Sequence, residues 1–370
     1  MRIGIVSTFN VECGISTYTE HLVEHYPEGQ VQIFGNKLGV LTDTENCLKH
    51  PICRCWSRKD DLIELTHALI ESDVDIVHIQ HEFGLFQNQS AFVEMLKKLR
   101  EKKIPVVVTF HTIFSEDHLN SAIQQISTYV NIIICHGQGG KDALRNVGVN
   151  NTSLLPHGSV KVQARGHDES RKYLNIPDDK TVILSLGFIT PNKGAMDSVS
   201  AIYRLKYEFE NLYFLIVGMP VVHDNNFANM EYCLKLFKRV KMLSLFDTVH
   251  IYPKYVSEKE IDYYAGASDI AIENYYPTHH STSGMSHLVM SYGLPSISSK
   301  ANILADLDST RSLKYKIGNI EEMSQKLRIL IRNDDIKKKL KENCLSYAEE
   351  TSWDKTANIH IGLYSSLVAE

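Results

Sequence analysis

Six short stretches carry residue types suited to binding or proton transfer, and each stands just past an apolar run. Ser281-Thr282-Ser283-Gly284-Met285 follows the run Ile270–Ile272 and opens a helical pattern that ends at Gly293. A turn at a helix start aims unpaired backbone N–H groups and the positive end of the helix dipole at open space, which suits a phosphate. The same residues also suit a plain helix start with Ser283 as its N-cap. Lys193, in Leu186-Gly187-Phe188-Ile189-Thr190-Pro191-Asn192-Lys193-Gly194, stands where an ammonium can meet a diphosphate as a point charge. Gly218, in Val217-Gly218-Met219-Pro220, and Gly14, in Cys13-Gly14-Ile15-Ser16, are positions where a missing side chain lets a ligand reach the backbone. Gly14 with Ser16 equally suits a helix cap.

The remaining two stretches are rich in histidine. His78-Ile-Gln-His81-Glu82-Phe-Gly84 sets ionisable groups at the mouth of an apolar strand, where burial without a partner is costly. Residues three apart on a strand face opposite sides, so one metal ion cannot easily bind both His78 and His81. Thr109-Phe110-His111-Thr112 places an imidazole at the next strand end, either to bond a hydroxyl or move a proton, or to sit in the core. Cys53-Arg54-Cys55 with Cys47 and His50 fits no usual paired-ligand spacing for zinc. No metal site is expected.

Alternating apolar runs and helical patterns position these groups. The first half reads as strands Ile3–Ser7, Val31–Phe34, Ile76–Ile79, Val106–Phe110, Ile132–Cys135 and Ser153–Leu155. Helices fall between them at Ser16–Tyr26, Lys59–Glu71, Gln89–Glu101, Leu119–Tyr129 and Gly139–Asn146. The second half repeats the scheme with strands Val182–Gly187, Tyr213–Val217, Val249–Ile251, Ile270–Ile272 and Ser296–Ser298. Ser257-x-x-Glu260 spells a capping box. Runs dense in Ile and Val and separated by helices imply parallel sheets covered on both faces, with ligands beyond the strand carboxyl ends. A polar seam near Pro156–Asp179 divides two doubly wound domains, 1–160 and 161–350. Residues 351–370 form a separate helix, with Ser352 as its cap and Trp353, Ala357, Ile361 and Tyr364 on one apolar stripe.

Bulk properties narrow the class. A chain of 370 residues is too long for one compact core. A net charge of −5 gives no general attraction to nucleic acid or anionic membrane. No apolar run approaches a membrane span, and the N-terminus enters a strand directly without the layout of a secretory leader. Seven cysteines, an odd number, suit a reducing cytoplasm, so a cytoplasmic location is expected. Neither the three-glycine dinucleotide fingerprint nor a Walker A loop is present, which disfavours an NAD-dependent dehydrogenase and a P-loop enzyme.

Taken in order, these pieces resemble the family 4 glycosyltransferases of the GT-B fold, the group 1 glycosyl transferases. The likeness runs over nearly the whole chain: Cys13-Gly14-Ile15 with Tyr18, DIVHIQHEFG, His111, LLPHGS, LGFITPNKG, LIVG, YVSEKEIDYYAGASDIAI, SGMSHLVMSYGLPSISS and the terminal SWDK helix. The resemblance implies an α/β protein of two facing Rossmann-like domains with a cleft between them and a last helix crossing back to the first. It implies transfer of a sugar from a nucleoside-diphosphate donor to a hydroxyl acceptor, with retention of configuration and no essential metal or cofactor. The first domain would bind the acceptor, through His81, Glu82 and His111. The second would bind the donor, through Gly187, Lys193, Gly218 and Ser281, Thr282, Ser283, Gly284 and Met285, with Gly14 approaching from the first. His111 and Lys193 would carry the chemistry.

Two departures mark a divergent branch. Phe188 stands where the family usually has arginine, and His280 and Leu288 stand where it has paired glutamates. Leucine accepts no hydrogen bond from a ribose. His279, His280 or Glu273 are the candidate replacements. The same architecture also serves sugar-nucleotide epimerases, phosphorylases and non-catalytic subunits.

Overall fold

The computed structural model describes residues 1–11, 13–37, 49–113, 117–162, 165–221, 227–277 and 282–369. By their contacts these divide into two units, the first comprising 1–158, 279–284 and 351–370 and the second 159–278 and 285–350.

The first unit runs β1 (Ile3–Ser7), α1 (Gly14–Glu24), β2 (Val31–Asn36), β3 (Ile52–Trp56), α2 (Ile63–Glu71), β4 (Ile76–His81), α3 (Gln89–Glu101), β5 (Val106–Phe110), α4 (Asp117–Tyr129), β6 (Ile132–Cys135), α5 (Gln138–Asn146) and β7 (Thr152–Leu154). Its seven strands are parallel in the order β3-β2-β1-β4-β5-β6-β7, so the winding reverses between β1 and β4. Strand parity sorts the side chains of β4. Val77 and Ile79 join the apolar cluster with Leu65, Leu96 and Ile123, while His78 and Gln80 point to the other face.

The second unit runs α6 (His167–Leu174), β8 (Thr181–Leu186), α7 (Ala195–Leu205), β9 (Leu212–Val217), α8 (Ala228–Met242), β10 (Val249–Tyr252), α9 (Glu258–Gly266), β11 (Ile270–Glu273), α10 (Gly284–Ser291), β12 (Ser296–Ser299), β13 (Ser312–Tyr315), α11 (Ile320–Arg332) and α12 (Asp334–Glu350). Its six parallel strands lie in the order β10-β9-β8-β11-β12-β13, reversing between β8 and β11. Ile183, Phe214, Ile216 and Ile272 pack on one face, and Val182, Leu184, Leu215 and Ala271 on the other. The capping box of Ser257 and Glu260 opens α9.

The last helix, α13 (Trp353–Ala369), belongs to the first unit and packs on α1. Trp353, Ala357 and Tyr364 are buried along it, together with Thr356 and His360. Burying one large apolar side chain stabilises by roughly 1.5–3 kcal/mol, so this stripe holds the helix in place. Trp353 lies against Gly158, where any side chain would run into the indole ring.

Two strands escaped the sequence pattern, β3 and β13. Both lie at sheet edges, where pairing on one side only leaves mixed polar and apolar residues, as in Ile52-Cys-Arg-Cys-Trp56. Cys53 and Cys55 are thus two apart on a strand, and Arg54 between them donates to the carbonyls of Phe9 and Asn36 at 3.0 Å each. His50 Nε2 lies 2.9 Å from Val23 O. Cys47 lies outside the described residues, among which no group of three or more acidic, cysteine or histidine side chains is placed to hold a metal.

Candidate functional site

In the second unit the reversal point gathers polar groups at the carboxyl ends of β8 and β11, the place where open α/β sheets bind ligands. Glycines clear the ground. Gly187 ends β8 with φ of +111° and Gly218 ends β9 with φ of +147°. A Cβ at Gly187 would lie 2.5 Å from Lys193 Nζ and 3.1 Å from Met285 Cγ, and one at Gly218 would collide with the Gly187 carbonyl. Gly194, at φ of +55°, accepts a 2.8 Å hydrogen bond from Asn274 Nδ2.

Lys193 closes the 3-10 turn Pro191–Lys193. Its ammonium lies 4.7 Å from the Tyr275 ring centroid and, among the described residues, its one hydrogen-bond approach is a long 3.5 Å to the Leu186 carbonyl. Glu273, at the end of β11, is 2% exposed and accepts a 2.9 Å hydrogen bond from Ser286 Oγ on α10. Burial raises its carboxyl pKa, and the charges of Lys193 and Lys314 with the Ser286 bond oppose that rise. Lys314 is pushed down to about 8, chiefly by burial. Asn274 Oδ1 is buried without a partner among the described residues. A cation with spare hydrogen-bonding capacity beside small, open backbone suits an anion supplied from outside.

Of the residues predicted for the donor, Gly187, Lys193, Gly218 and Met285 therefore come together. Thr282, Ser283 and Gly284 belong by their contacts to the first unit. Ser283 is buried and directly precedes α10, which begins at Gly284, and a Cβ on Gly284 would lie 3.4 Å from His157 Nε2. Ser281, His279 and His280 lie outside the described residues. Phe188 is 42% exposed, and Leu288 is half-buried against the apolar cluster beneath α10, offering nothing polar.

In the first unit His111 follows β5 and is half-buried. Its Nε2 lies 2.8 Å from Gln80 Oε1, and the Tyr18 ring meets it edge-on with centroids 4.9 Å apart. Tyr18 also contacts His136, His157 and Trp353, so rings from α1, two strand ends and α13 form one cluster. Gly14 is exposed at the start of α1 and a Cβ there would meet nothing within 4 Å, so packing does not demand glycine. A cavity of about 370 Å³ opens at the ends of β1, β2 and β3, with Thr8, Cys13, Lys37 and Arg58 among its lining.

His81 lies elsewhere. It points to the core face of β4, fully buried among Phe83, Phe86, Phe92 and Phe110, with both ring nitrogens unpartnered. Burial pushes its pKa to about 3, so the ring is neutral. A side chain with no exposed atom presents nothing to an acceptor, and the structure makes His81 a core residue. Glu82 is half-buried, and its Oε2 accepts 2.6 Å from the Gly84 amide.

The sequence reading passed over Gln80, Asn274 and Ser286. Gln80 was legible in principle, because strand alternation puts it on the face of His78 and opposite His81.

Residues 166–349 match the model of the family described as glycosyl transferases group 1, and residues 13–158 match that of glycosyltransferase family 4. No curated protein matches the sequence significantly. Among solved structures, HepE of Anabaena in complex with UDP is 16% identical, with a TM-score of 0.81 over 99% of this chain and 100% of its own. A glycosyltransferase from Rickettsia africae is 14% identical, with a TM-score of 0.80 over 99% and 98%. Sucrose-phosphate synthase from Thermosynechococcus elongatus, also 14% identical, gives 0.75 over 100% and 99%. At such identities the likeness is one of fold.

Proposed function

This chain belongs to the family 4-like, group 1 glycosyl transferases of the GT-B fold, and from that premise we propose that it moves a sugar from a nucleoside-diphosphate donor to a hydroxyl acceptor. The observation that carries this reading is the reversal point of the second sheet, where Gly187 and Gly218 leave the backbone open beside the Lys193 ammonium. The UDP and UDP-glucose complexes of HepE support a nucleoside diphosphate as the group held there.

In this mechanism the bond from the anomeric carbon to the diphosphate breaks, and negative charge grows on the leaving oxygen. Lys193 meets that charge, in the way that fixed donors usually supply the largest part of such catalysis. Transfer proceeds with retention and without an essential metal. His111 contacts the transferred sugar. The acceptor binds in the first unit, near Glu82 and the cavity beside Lys37 and Arg58.

The test is to incubate the protein with UDP-glucose and a panel of other nucleoside-diphosphate sugars, with and without a mixture of saccharide acceptors. Acceptor-dependent release of nucleoside diphosphate is expected. Release of nucleoside diphosphate with free sugar and no glycosylated product would mean that water takes the sugar, the outcome of a hydrolysing epimerase rather than a transferase. A crystal of the donor complex with its diphosphate away from Lys193 would refute the site.

A further inference from the structure

Behind His111 in the first unit, buried side chains form one line of hydrogen bonds. His111 Nε2 lies 2.8 Å from Gln80 Oε1, and Gln80 Nε2 lies 3.3 Å from His78 Nε2. His78 Nδ1 lies 2.6 Å from the Tyr364 hydroxyl, which lies 2.9 Å from that of Tyr26. Thr109 Oγ1 is 2.8 Å from His78 Nε2. Gln80, His78, Tyr364 and Tyr26 are all 1% exposed or less, so the bonds behind the half-buried His111 do not compete with bulk water.

A carboxamide carries its acceptor and its donors on different atoms, so it dictates the protonation of both neighbours. With Oε1 towards His111, the facing nitrogen of that ring must bring the proton. With Nε2 towards His78, the facing nitrogen there must accept. The His78 proton then sits on Nδ1 and goes to Tyr364, whose own hydrogen goes to Tyr26. A doubly protonated His78 would break this line. Burial, with the charges of His360, His111 and His136, holds the His78 pKa well below its ordinary value, and burial pushes His360 to about 4.

We propose that Gln80 and Tyr364 are positioning residues that hold His111 as its Nε2–H tautomer. In that tautomer Nδ1 is the acceptor of the ring, which suits a hydroxyl over a carbonyl or phosphate oxygen. This rests on the reading that His111 touches substrate. Tyr364 is far along α13, so the tautomer at a strand end in the first unit is set partly from the last helix.

The experiment is a two-bond proton–nitrogen correlation spectrum of the full chain labelled with 15N-histidine, with His111 assigned by its loss in His111→Asn. The expected spectrum shows Nε2 of His111 as the protonated nitrogen and Nδ1 as the bare one. Gln80→Leu should collapse that split to an average of the two tautomers, and Tyr364→Phe should narrow it, while His136 and His157 signals stay in place. A wild-type His111 protonated at Nδ1, an averaged wild-type pattern, or an unchanged pattern in Gln80→Leu overturns the proposal. The wild-type spectrum decides even if Gln80→Leu does not fold. Turnover of His111→Ala tests the underlying reading separately: unimpaired release of nucleoside diphosphate removes His111 from the mechanism and leaves the tautomer result standing.

Discussion

Both sheets end in polar clusters, and the two clusters solve different problems. At the end of β4 and β5, His78 has hydrogen bonds at both ring nitrogens and Gln80 uses both ends of its amide. At the end of β8 and β11, Lys193 has one long contact to a carbonyl and Asn274 keeps an unpartnered oxygen. The line from His111 to Tyr26 is saturated, a device for orienting one ring, while His81 on the opposite face of β4 keeps both ring nitrogens unpartnered among the described residues. The second cluster holds a cation and open backbone in reserve, which suits the anion proposed above as its partner. A protein tolerates unmet polar capacity where a ligand will meet it, and closes its networks where geometry must not drift.

Substitutions can break this contrast, starting where the effect is largest. Lys193→Ala should lower transfer roughly 10²- to 10³-fold, as removal of one charge-stabilising donor does elsewhere. Circular dichroism should show the fold intact, and steady-state release of nucleoside diphosphate measures the loss. Unchanged turnover would place the charge on another group. Gly187→Ala should destabilise by roughly 1–3 kcal/mol in a urea titration, because φ of +111° suits glycine and the new methyl meets the Lys193 ammonium. It should also weaken UDP binding in calorimetry, whereas the wild-type value would show that the donor lies away from that strand end.

In the saturated cluster, Tyr364→Phe removes one oxygen and strands His78 Nδ1 and the Tyr26 hydroxyl together. A loss of about 1–3 kcal/mol in the urea midpoint free energy is expected, with little change in affinity for UDP. The smallest effect belongs to Glu273→Gln. The Glu273 pKa in the folded state lies above the ordinary 4.5, so the folded chain holds that proton to higher pH than the unfolded chain. Its stabilising share is complete below about 4.5 and fades as pH rises through the raised value. Gln carries no such proton. The variant should therefore gain on wild type as pH rises across that window in thermal melts, and a constant difference would mean that Lys193, Lys314 and Ser286 fully offset burial.

Much of the fold was open to reading because its central strands are buried on both faces. Ile3–Ser7, Val106–Phe110 and Ile132–Cys135 were legible to the residue from their Ile and Val content. The edge strands β3 and β13 were not, since one neighbour suffices to pair them and ICRCW and SLKY mix polar with apolar residues, whereas the edge strands β7 and β10 were read within a residue or so. Site residues followed the same divide. The strand-end positions of Lys193, Gly187 and Gly218, proposed here for the donor, were legible in the sequence. His81 looked like a surface ligand because a sequence does not tell a polar residue aimed into four phenylalanines from one aimed at solvent. The bond between His78 and Tyr364 spans 286 positions, and no local pattern encodes it.

The seat of α13 also sets an order of events during synthesis. Gly158, Tyr18 and His78 leave the ribosome early, yet the indole and the phenol that cover them arrive only with residues 353 and 364. Translation therefore makes the socket long before its plug, and the first unit lacks the packing of α13 until residues 353 to 364 have been made.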